Sequence, residues 1–431
     1  MRHAALARSV GILVALIPAT ARADLKIEDA IALALSKNER AKISDLNVVV
    51  ADAAVDKART AFFPTLTSTG TYQQKPDDLV PAPKNSYSLN ESVTLSQPIV
   101  NASAFPLYAQ SKRLLDGQIA QTIDDKRQLA YDAAKAFFAV LQADAVVVAA
   151  QKRLDTAKSN LDDTSDRVEA KLVSTNDQTR ARIDYANAIT EVENDKGSLA
   201  VARVNLEFTI NARVAGALTT PTALLDAGRT QAPGVDQLLK LALATRPDLA
   251  SKRWLAVAAH DFADEPLLRL VPTLSLAGTF AISSDNQAIT PGHAYYNNEF
   301  LLATLTWPIF DAGVRYADRK SRVASAQIAD LTLDTTVRQV DQQVRGALET
   351  LKAAQAALAS AEQARDAAAQ SVTETAILYK QGLIKAIELV DANDTRFLAD
   401  VTYATAQYGV AIAFLGLRQA LGLDPIGTGY P

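Results

Sequence analysis

Two acidic side chains in the second half of the sequence stand at a spacing that places charge on a shared surface. Glu388 and Asp391 are three residues apart, so on a helix they lie on one face. They follow Gly382, the best candidate for a break between two helices in a stretch of 116 residues, 309–424, that contains no proline. Carboxylates gathered around one axis attract cations and repel each other when ionised. We interpret 379–391 as the tip of a helical hairpin whose acids line a surface; on the pattern alone, a solvated helix face remains the alternative.

Residues that would support catalysis are scarce in this chain. It contains no cysteine, and its only methionine is the first residue. His3 lies near the N-terminus, while His260 and His293 are isolated and are expected to be surface residues. No glycine pattern of a phosphate or dinucleotide site is present. We therefore predict that the protein is not an enzyme and has no cofactor and no metal site.

The N-terminus has the features of a secretory signal peptide. Arg2 and Arg8 precede a short apolar stretch, 10–17, and a small-residue cleavage pattern ends at Ala23. Removing residues 1–23 takes away three arginines and no acid, which leaves 41 basic residues against 48 acidic ones. An acidic, exported chain is not expected to bind nucleic acid.

The composition favours long packed helices over a thick globular core. Aromatic residues make up 6% of the chain, and alanine dominates its apolar content. Beyond the signal peptide no continuous apolar run approaches 18 residues, so we expect no transmembrane helix.

The chain contains the same pattern twice. Segments from the first half recur in the second half in the same order, at an offset of 208 residues for the first two pairs and 210 for the third. This repetition predicts a first structural repeat over 24–220 and a second over 221–431. The matching segments are 27–35 with 235–243, 63–72 with 271–280, and 95–99 with 305–309.

Each repeat is expected to begin with a helix, over about 27–61 and 235–268, and to continue with a pair of strands. Alternating apolar and polar residues predict strand pairs over 65–97 and 273–307. Each strand is about ten residues long, the length of a tilted membrane-spanning β-strand. Because proline lacks an N–H, the returning strands are expected to end at Pro98 and Pro308.

The largest predicted features are two long helical hairpins, over 104–212 and 312–422. Both regions are rich in alanine and leucine at spacings of three and four. A helix over 314–377 would be about 96 Å long, which no globular core of this size could enclose. Such helices must pack lengthwise on one another.

Four strands cannot close a membrane barrel, because single-chain barrels start at eight strands and open edges in lipid leave backbone groups unsatisfied. The sequence therefore predicts an obligate homo-oligomer. Aromatic residues near the strand ends would suit an interfacial girdle, although such residues are also common in soluble sheets. These are Tyr72, Tyr87, Tyr295, Tyr296 and Trp307.

The duplicated order of helix, strand, loop, strand and long hairpin resembles the TolC-like outer-membrane efflux channel family over nearly the whole mature chain. The resemblance is carried by the opening helix 27–35, by Phe62-Phe63-Pro64, by the segment 305–313 and by 379–391. It implies a mainly α protein with a small β portion. It also implies a homotrimer with a twelve-stranded barrel in the outer membrane, continuous with a periplasmic α-helical barrel. Its partners would be a periplasmic adaptor and an inner-membrane pump.

The resemblance also assigns residues to a closable periplasmic aperture. Glu388 and Asp391 match the paired acids of the closed tip, and Asp177 occupies the corresponding place in the first repeat. Tyr379 matches a tyrosine whose hydroxyl ties neighbouring helices through such an acid. The hairpin tips expected to contact the adaptor are Leu172, Val173, Gly382 and Leu383.

Two positions depart from the family pattern. Ile384 stands where the best-known relative has an arginine of the closed-state links, and Lys171 replaces a glycine of the first-repeat turn. We therefore expect a closure network that is thinner or differently built. Because a tunnel wall recognises little of what passes through it, specificity for the transported cargo is expected to belong to the pump.

The alternative reading is a soluble periplasmic coiled-coil protein, such as an adaptor. Long alanine-rich hairpins fit either class of protein. An adaptor is expected to carry one helical hairpin within β-rich domains. Two hairpins and two strand pairs favour the outer-membrane channel.

Overall fold

A computed structural model of the chain describes residues 24–74, 87–284 and 296–427 together with Gly429. The predicted signal peptide, the loops 75–86 and 285–295, and Tyr295 lie outside the described residues. The first half contains α1 (Ile27–Lys37), α2 (Glu39–Arg59), β1 (Thr65–Gln74), β2 (Tyr87–Val100), α3 (Ala104–Glu169) and α4 (Thr175–Ile210). The second half contains α5 (Thr222–Arg229), α6 (Val235–Thr245), α7 (Pro247–Ala263), α8 (Glu265–Leu268), β3 (Thr273–Ser283), β4 (Tyr296–Thr306), α9 (Val314–Lys380) and α10 (Ala386–Leu421).

The element order repeats between the halves. In each half, short helices precede two antiparallel strands, and a very long helix then turns back into a helix of 36 residues. The predicted fold class, mainly α with a small β portion, is confirmed. The long helices α3 and α9 have 66 and 67 residues. Each is therefore about 100 Å long.

The predicted opening helices are each divided, and the prediction of one continuous helix over 27–61 was wrong. Asn38 adopts an extended conformation and caps α2, because its side chain accepts a hydrogen bond from the Arg40 N–H at 2.9 Å. Its amide also donates to the Thr209 carbonyl at 2.8 Å. The last turn of α4 is thus joined to the first turn of α2, and both helices pack along α3.

The second half has the same junction with different chemistry. Pro247 occupies the first turn of α7 and cannot continue α6, so the predicted helix 235–268 is broken at Arg246. Gly422 ends α10 with φ +81°, and a Cβ there would lie 2.9 Å from the Arg246 side chain. Arg246 also donates to the Ala420 carbonyl at 3.0 Å. The end of α10 is thereby held against the start of α7.

The four strands form one antiparallel sheet in the order β1-β2-β3-β4. Within the described chain, β1 and β4 are the two edges of this sheet. The prediction that the second strand ends at Pro98 was wrong, since β2 continues to Val100. The register between β2 and β3 shifts between Pro98 and Val100. Such a bulge accommodates a residue that has no N–H to donate.

The main core lies at mid-height, where α1, α5 and α6 wrap the long helices. Phe137 and Phe138 are fully buried and meet edge to face at 6.4 Å, and Phe138 lies 6.4 Å from the Tyr408 ring. A smaller cluster containing Ala150, Val192 and Phe397 lies further along the hairpins. The core therefore holds the middle of the helices, and toward the tips cross-helix contacts depend on fewer buried side chains.

One helix among the described residues, α3, is long and apolar enough to cross a membrane, and 39% of its most apolar window is buried inside the chain. The expectation that the chain has no transmembrane helix stays a prediction, because length and composition alone do not identify a membrane span. The core helix of a soluble protein also meets these two criteria of length and apolar composition. This helix packs along α2, α4, α7 and α10, which accounts for its apolar content.

The two hairpin tips have the same backbone path with different residues. Gly382 has φ +74°, and its equivalent in the first repeat, Lys171, has φ +59°. Positive φ costs a residue with a Cβ about 1–2 kcal/mol. Lys171 therefore carries a backbone strain that the second tip avoids.

Substituting Gly382 by alanine tests this turn. A Cβ at Gly382 or at Gly197 in the middle of α4 would meet no atom within 4 Å, so only the backbone conformation differs. Gly382→Ala should lower the free energy of unfolding by about 1 kcal/mol, whereas Gly197→Ala should raise it by about 0.5–1 kcal/mol. Denaturant midpoints followed by far-ultraviolet circular dichroism measure both. Equal shifts in the two variants would contradict the assigned turn.

Candidate functional site

The first hairpin tip is closed by a capping box. The Ser174 side chain accepts the Asn176 N–H at 3.0 Å, and the Asp177 carboxylate accepts the Ser174 N–H at 3.3 Å. Asp177 is half-buried. Its negative charge at the N-terminus of α4 is favourable because the helix dipole is positive there. In the single chain, then, Asp177 is a helix cap.

In the second tip the corresponding acid is held more weakly. Glu388 occupies the same position in α10, and its carboxylate lies 3.5 Å from the Lys385 N–H, at the limit of a hydrogen bond. Asp391 lies one turn further along the helix. Both side chains are exposed, and neither forms an ion pair within the described part of the chain. Their charge is therefore presented to solvent.

Tyr379 connects the second hairpin to the first. It is buried, and the Arg167 guanidinium lies 4.9 Å from its ring centroid. Its hydroxyl is 3.5 Å from the Thr164 hydroxyl on α3. Arg167 is also paired with Asp163 at 3.2 Å. Within one chain the tyrosine hydroxyl thus meets a threonine, and the acid partner implied by the family resemblance stays a prediction.

The apolar residues of the tips protrude. Leu172 is 75% exposed and Leu383 is 68% exposed, whereas Val173 and Ile384 are half-buried beside them. Gly382 is exposed at the turn itself. Each tip thus presents one leucine to its surroundings at an equivalent position.

The aromatic residues named from the sequence lie at or beside strand ends. Tyr72 is close to the end of β1, and Tyr87 and Tyr296 are the first residues of β2 and β4. Trp307 directly follows β4 and is 59% exposed. Their role as a membrane girdle stays a prediction.

Sequence reasoning missed a buried charge cluster above the tips. Arg153 of α3 is 11% exposed and donates to three carboxylates: Glu191 and Asp184 of α4, at 2.9 and 3.0 Å, and Asp394 of α10, at 2.7 Å. Its guanidinium also lies 5.5 Å from the Phe397 ring. One side chain therefore ties the second hairpin to both helices of the first. The only sequence signal was the spacing of seven between the two α4 acids, which places them on one helix face.

The cluster has more negative charge than its arginine can neutralise. Burial raises the pKa of the Asp184 carboxyl above its ordinary value, and the Arg153 guanidinium opposes this shift. The pKa of Glu191 is raised chiefly by burial as well, with Arg153 opposing and Asp195 adding to it. Asp394 faces the same arginine and contributes to both shifts.

A cavity of about 450 Å³ lies beside the junction of α10 and α7. Arg246 and Arg127 line it, and both are engaged: Arg246 binds Asp248 through two hydrogen bonds, and Arg127 donates to the Gly422 carbonyl. Burial and the nearby Asp248 raise the pKa of Asp124. Over the residues that the structure describes, no group of acids and histidines could hold a metal ion.

Replacing Arg153 removes the one positive charge from this cluster. Arg153→Met should lower the free energy of unfolding by about 3 kcal/mol, because it leaves the buried Asp184 carboxylate without its partner. Arg345→Met is the matched control, since Arg345 is 54% exposed and, among the described residues, its ion-pair partner is Asp341 of its own helix. It should cost less than about 0.5 kcal/mol. Comparable losses in denaturant unfolding would show that the Arg153 cluster is not a cross-hairpin tie.

The raised pKa values of Asp184 and Glu191 predict a pH dependence. Between their ordinary pKa of about 4 and their raised values, the folded chain binds protons that the unfolded chain does not. This contribution to the free energy of unfolding therefore rises as the pH falls from neutral through that window. The double variant Asp184→Asn, Glu191→Gln should lose this pH-dependent contribution. Denaturant unfolding curves from pH 7 to 4 give the free energy of unfolding of the natural chain and of the variant at each pH. A difference between the two free energies that does not change with pH would contradict the prediction.

Comparison with known proteins places these features in a family. The model of the family described as "Outer membrane efflux protein" matches residues 30–212 and 238–423. The outer membrane protein TolC of Vibrio cholerae is 25% identical over 380 residues, which are 86% of this chain and 84% of that protein.

Solved structures show the same fold. A membrane protein from Pseudomonas aeruginosa superposes with a TM-score of 0.79 at 18% identity, covering 92% of each chain. The open state of the Neisseria gonorrhoeae MtrE outer membrane channel superposes with a TM-score of 0.76 at 19% identity, covering 93% of this chain and 90% of that one. Since the family model matches both repeats, this chain belongs to the outer membrane efflux protein family.

Proposed function

We propose that this protein is the exit duct of a tripartite efflux or type I secretion system, built from three copies of the chain. The family consists of outer-membrane channels and not of enzymes. The observation that carries the trimeric duct is the shape of one chain: a small sheet with two open edges, continuous with helices about 100 Å long.

The sheet requires other copies of the chain. Leucines on its apolar face are largely exposed, with Leu66 at 70% and Leu301 at 72%. Lipid covers such a face but cannot satisfy the backbone groups of β1 and β4. Three copies of the four-stranded sheet give twelve strands and leave no edge. The alternative, a soluble coiled-coil adaptor, does not account for this face, because a soluble protein would expose it to water.

The helices would extend the barrel into the periplasm. Both long hairpins follow directly from the strands, so they leave the barrel at its inner end. In this proposal residues 24–220 and 221–431 each supply one strand pair and one hairpin. The protruding leucines Leu172 and Leu383 supply an apolar contact for a periplasmic adaptor, which connects the duct to an inner-membrane pump.

The acids of the tips would form the aperture. Three copies bring six carboxylates of Glu388 and Asp391 around one axis, because both side chains are exposed near the same turn. Asp177 adds its charge from the first tip while capping α4. Such a ring favours cations. Tyr379 and the Arg153 cluster hold the two hairpins together behind it.

Removing the tip acids tests the aperture. The double variant Glu388→Ala, Asp391→Ala should shift the reversal potential of single channels toward zero in planar bilayers with a KCl gradient, and it should weaken block by divalent cations. The matched control is Asp341→Ala, Glu349→Ala, which removes one half-buried and one exposed acid from α9, roughly 45–60 Å from the tip. Unchanged selectivity in the tip variant, or an equal change in the control, would refute the carboxylate ring.

A further inference from the structure

The two halves of the sheet are joined inside one chain by the pairing of β2 with β3. This seam connects the last strand of the first repeat to the first strand of the second repeat. In a closed barrel the pairing of β4 with β1 of the next copy connects the same two kinds of strand. The internal seam is therefore a template for the seam between copies.

Two neighbouring pairs characterise the internal seam. Leu95 lies opposite Gly278 on the apolar face. Thr94 lies opposite Thr279 on the other face, and their hydroxyls are 3.1 Å apart. The two threonine hydroxyls are in hydrogen-bonding contact. Leu95 and Gly278 are paired by register, and the side chain nearest the space above Gly278 is that of Leu301 on β4, 4.0 Å away.

The repeat offsets identify the residues of β4 and β1 that are equivalent to these two pairs. Adding 210 to the β2 residues and subtracting 208 from the β3 residues gives Leu305 opposite Gly70 and Thr304 opposite Thr71. The residue types are the same in both seams, leucine with glycine and threonine with threonine. Building on the trimer proposed above, the geometry points to a specific interaction surface: β4 of one copy pairs with β1 of the next in the register that sets Leu305 against Gly70 and Thr304 against Thr71.

The surfaces of the single chain fit this register. A Cβ on Gly70 would meet no atom within 4 Å, so the space above it is open in one chain. Leu305 is 65% exposed on the same apolar face. A slip of one residue would set the apolar face of β4 against the threonine face of β1. A slip of two in either direction would set Leu305 against Ser68 or Tyr72 and would lose the leucine–glycine pair. Thr304 would then face Thr69 in the first case and Gln73 in the second.

The register also closes consistently around the barrel. Thr65 pairs with Ser96, Ser96 with Ala277, and Ala277 with Leu302. In the proposed seam Leu302 faces Gln73 of the next copy. Thr65 and Gln73 lie on the same face of β1. A row of paired residues followed once through a copy therefore reaches the next copy on the same face of the sheet, and the apolar face stays continuous around the barrel.

Cysteine crosslinking tests the register, because the natural chain contains no cysteine. Directly opposed strand residues have Cα atoms about 4.5–5.5 Å apart, within disulfide range. The variant Thr304→Cys, Thr71→Cys should give covalent trimers on non-reducing gels after mild oxidation in detergent. The slipped controls Thr304→Cys, Thr69→Cys and Thr304→Cys, Gln73→Cys should crosslink far less. The internal variant Thr94→Cys, Thr279→Cys should form its disulfide without a change in mass.

The outcomes separate the register from the trimer. Crosslinking only in the 304–71 variant supports the register. Preferential crosslinking in a slipped control contradicts the register but is consistent with the trimer. A trimeric mass in detergent without a crosslink in any seam variant has the same meaning. A purely monomeric mass of the natural chain in detergent overturns the proposed trimer and the register together.

Discussion

The structure depends on the need to pair every backbone N–H and C=O group in a lipid environment. One chain of this protein cannot meet that requirement, since β1 and β4 each keep one open edge. An unsatisfied backbone group in hydrocarbon costs several kcal/mol, and an edge of ten residues has many of them. Association of copies is therefore a condition of the fold in the membrane. In the proposed trimer the duplicated sequence meets this condition with one kind of seam, which serves both within and between chains.

The long helices are subject to a different constraint, which is their length. Helices of 66 and 67 residues are too long to be enclosed, so they are stabilised by lengthwise neighbours. No single neighbour is long enough, and each long helix is accompanied by two shorter helices that meet end to end. Asn38 joins α4 to α2, and Arg246 with Gly422 joins α10 to α7. The core sits at these junctions, where the exposed helix ends require hydrogen-bond partners.

The tips combine structural and functional demands in the same residues. Asp177 caps a helix, and Glu388 occupies the equivalent position with a much weaker bond. In the proposed duct, carboxylate charge that is not used for capping is available to the lumen. Further up, Arg153 concentrates three carboxylates on one guanidinium and ties the hairpins together. Because removal of one partner from a buried ion network is costly, this tie resists separation of the hairpins more than an exposed ion pair would.

The sequence by itself determined the duplication, the fold class, the strand pairs and the glycine turn at Gly382. These features follow from local periodicity and from residues with special backbone preferences, which act over a few positions. The positions of Glu388 and Asp391 near that turn were also readable, because a spacing of three fixes a shared helix face.

Only the tertiary structure decided the features that need distant partners. The break at Asn38 depends on the Thr209 carbonyl, and the continuation of β2 past Pro98 depends on a bulge against β3. The Arg153 cluster joins three helices whose acids are separated by up to 241 residues from the arginine. The sequence carries no periodic signal for such contacts, because the energy of a buried charge is set by the groups that the fold brings to it.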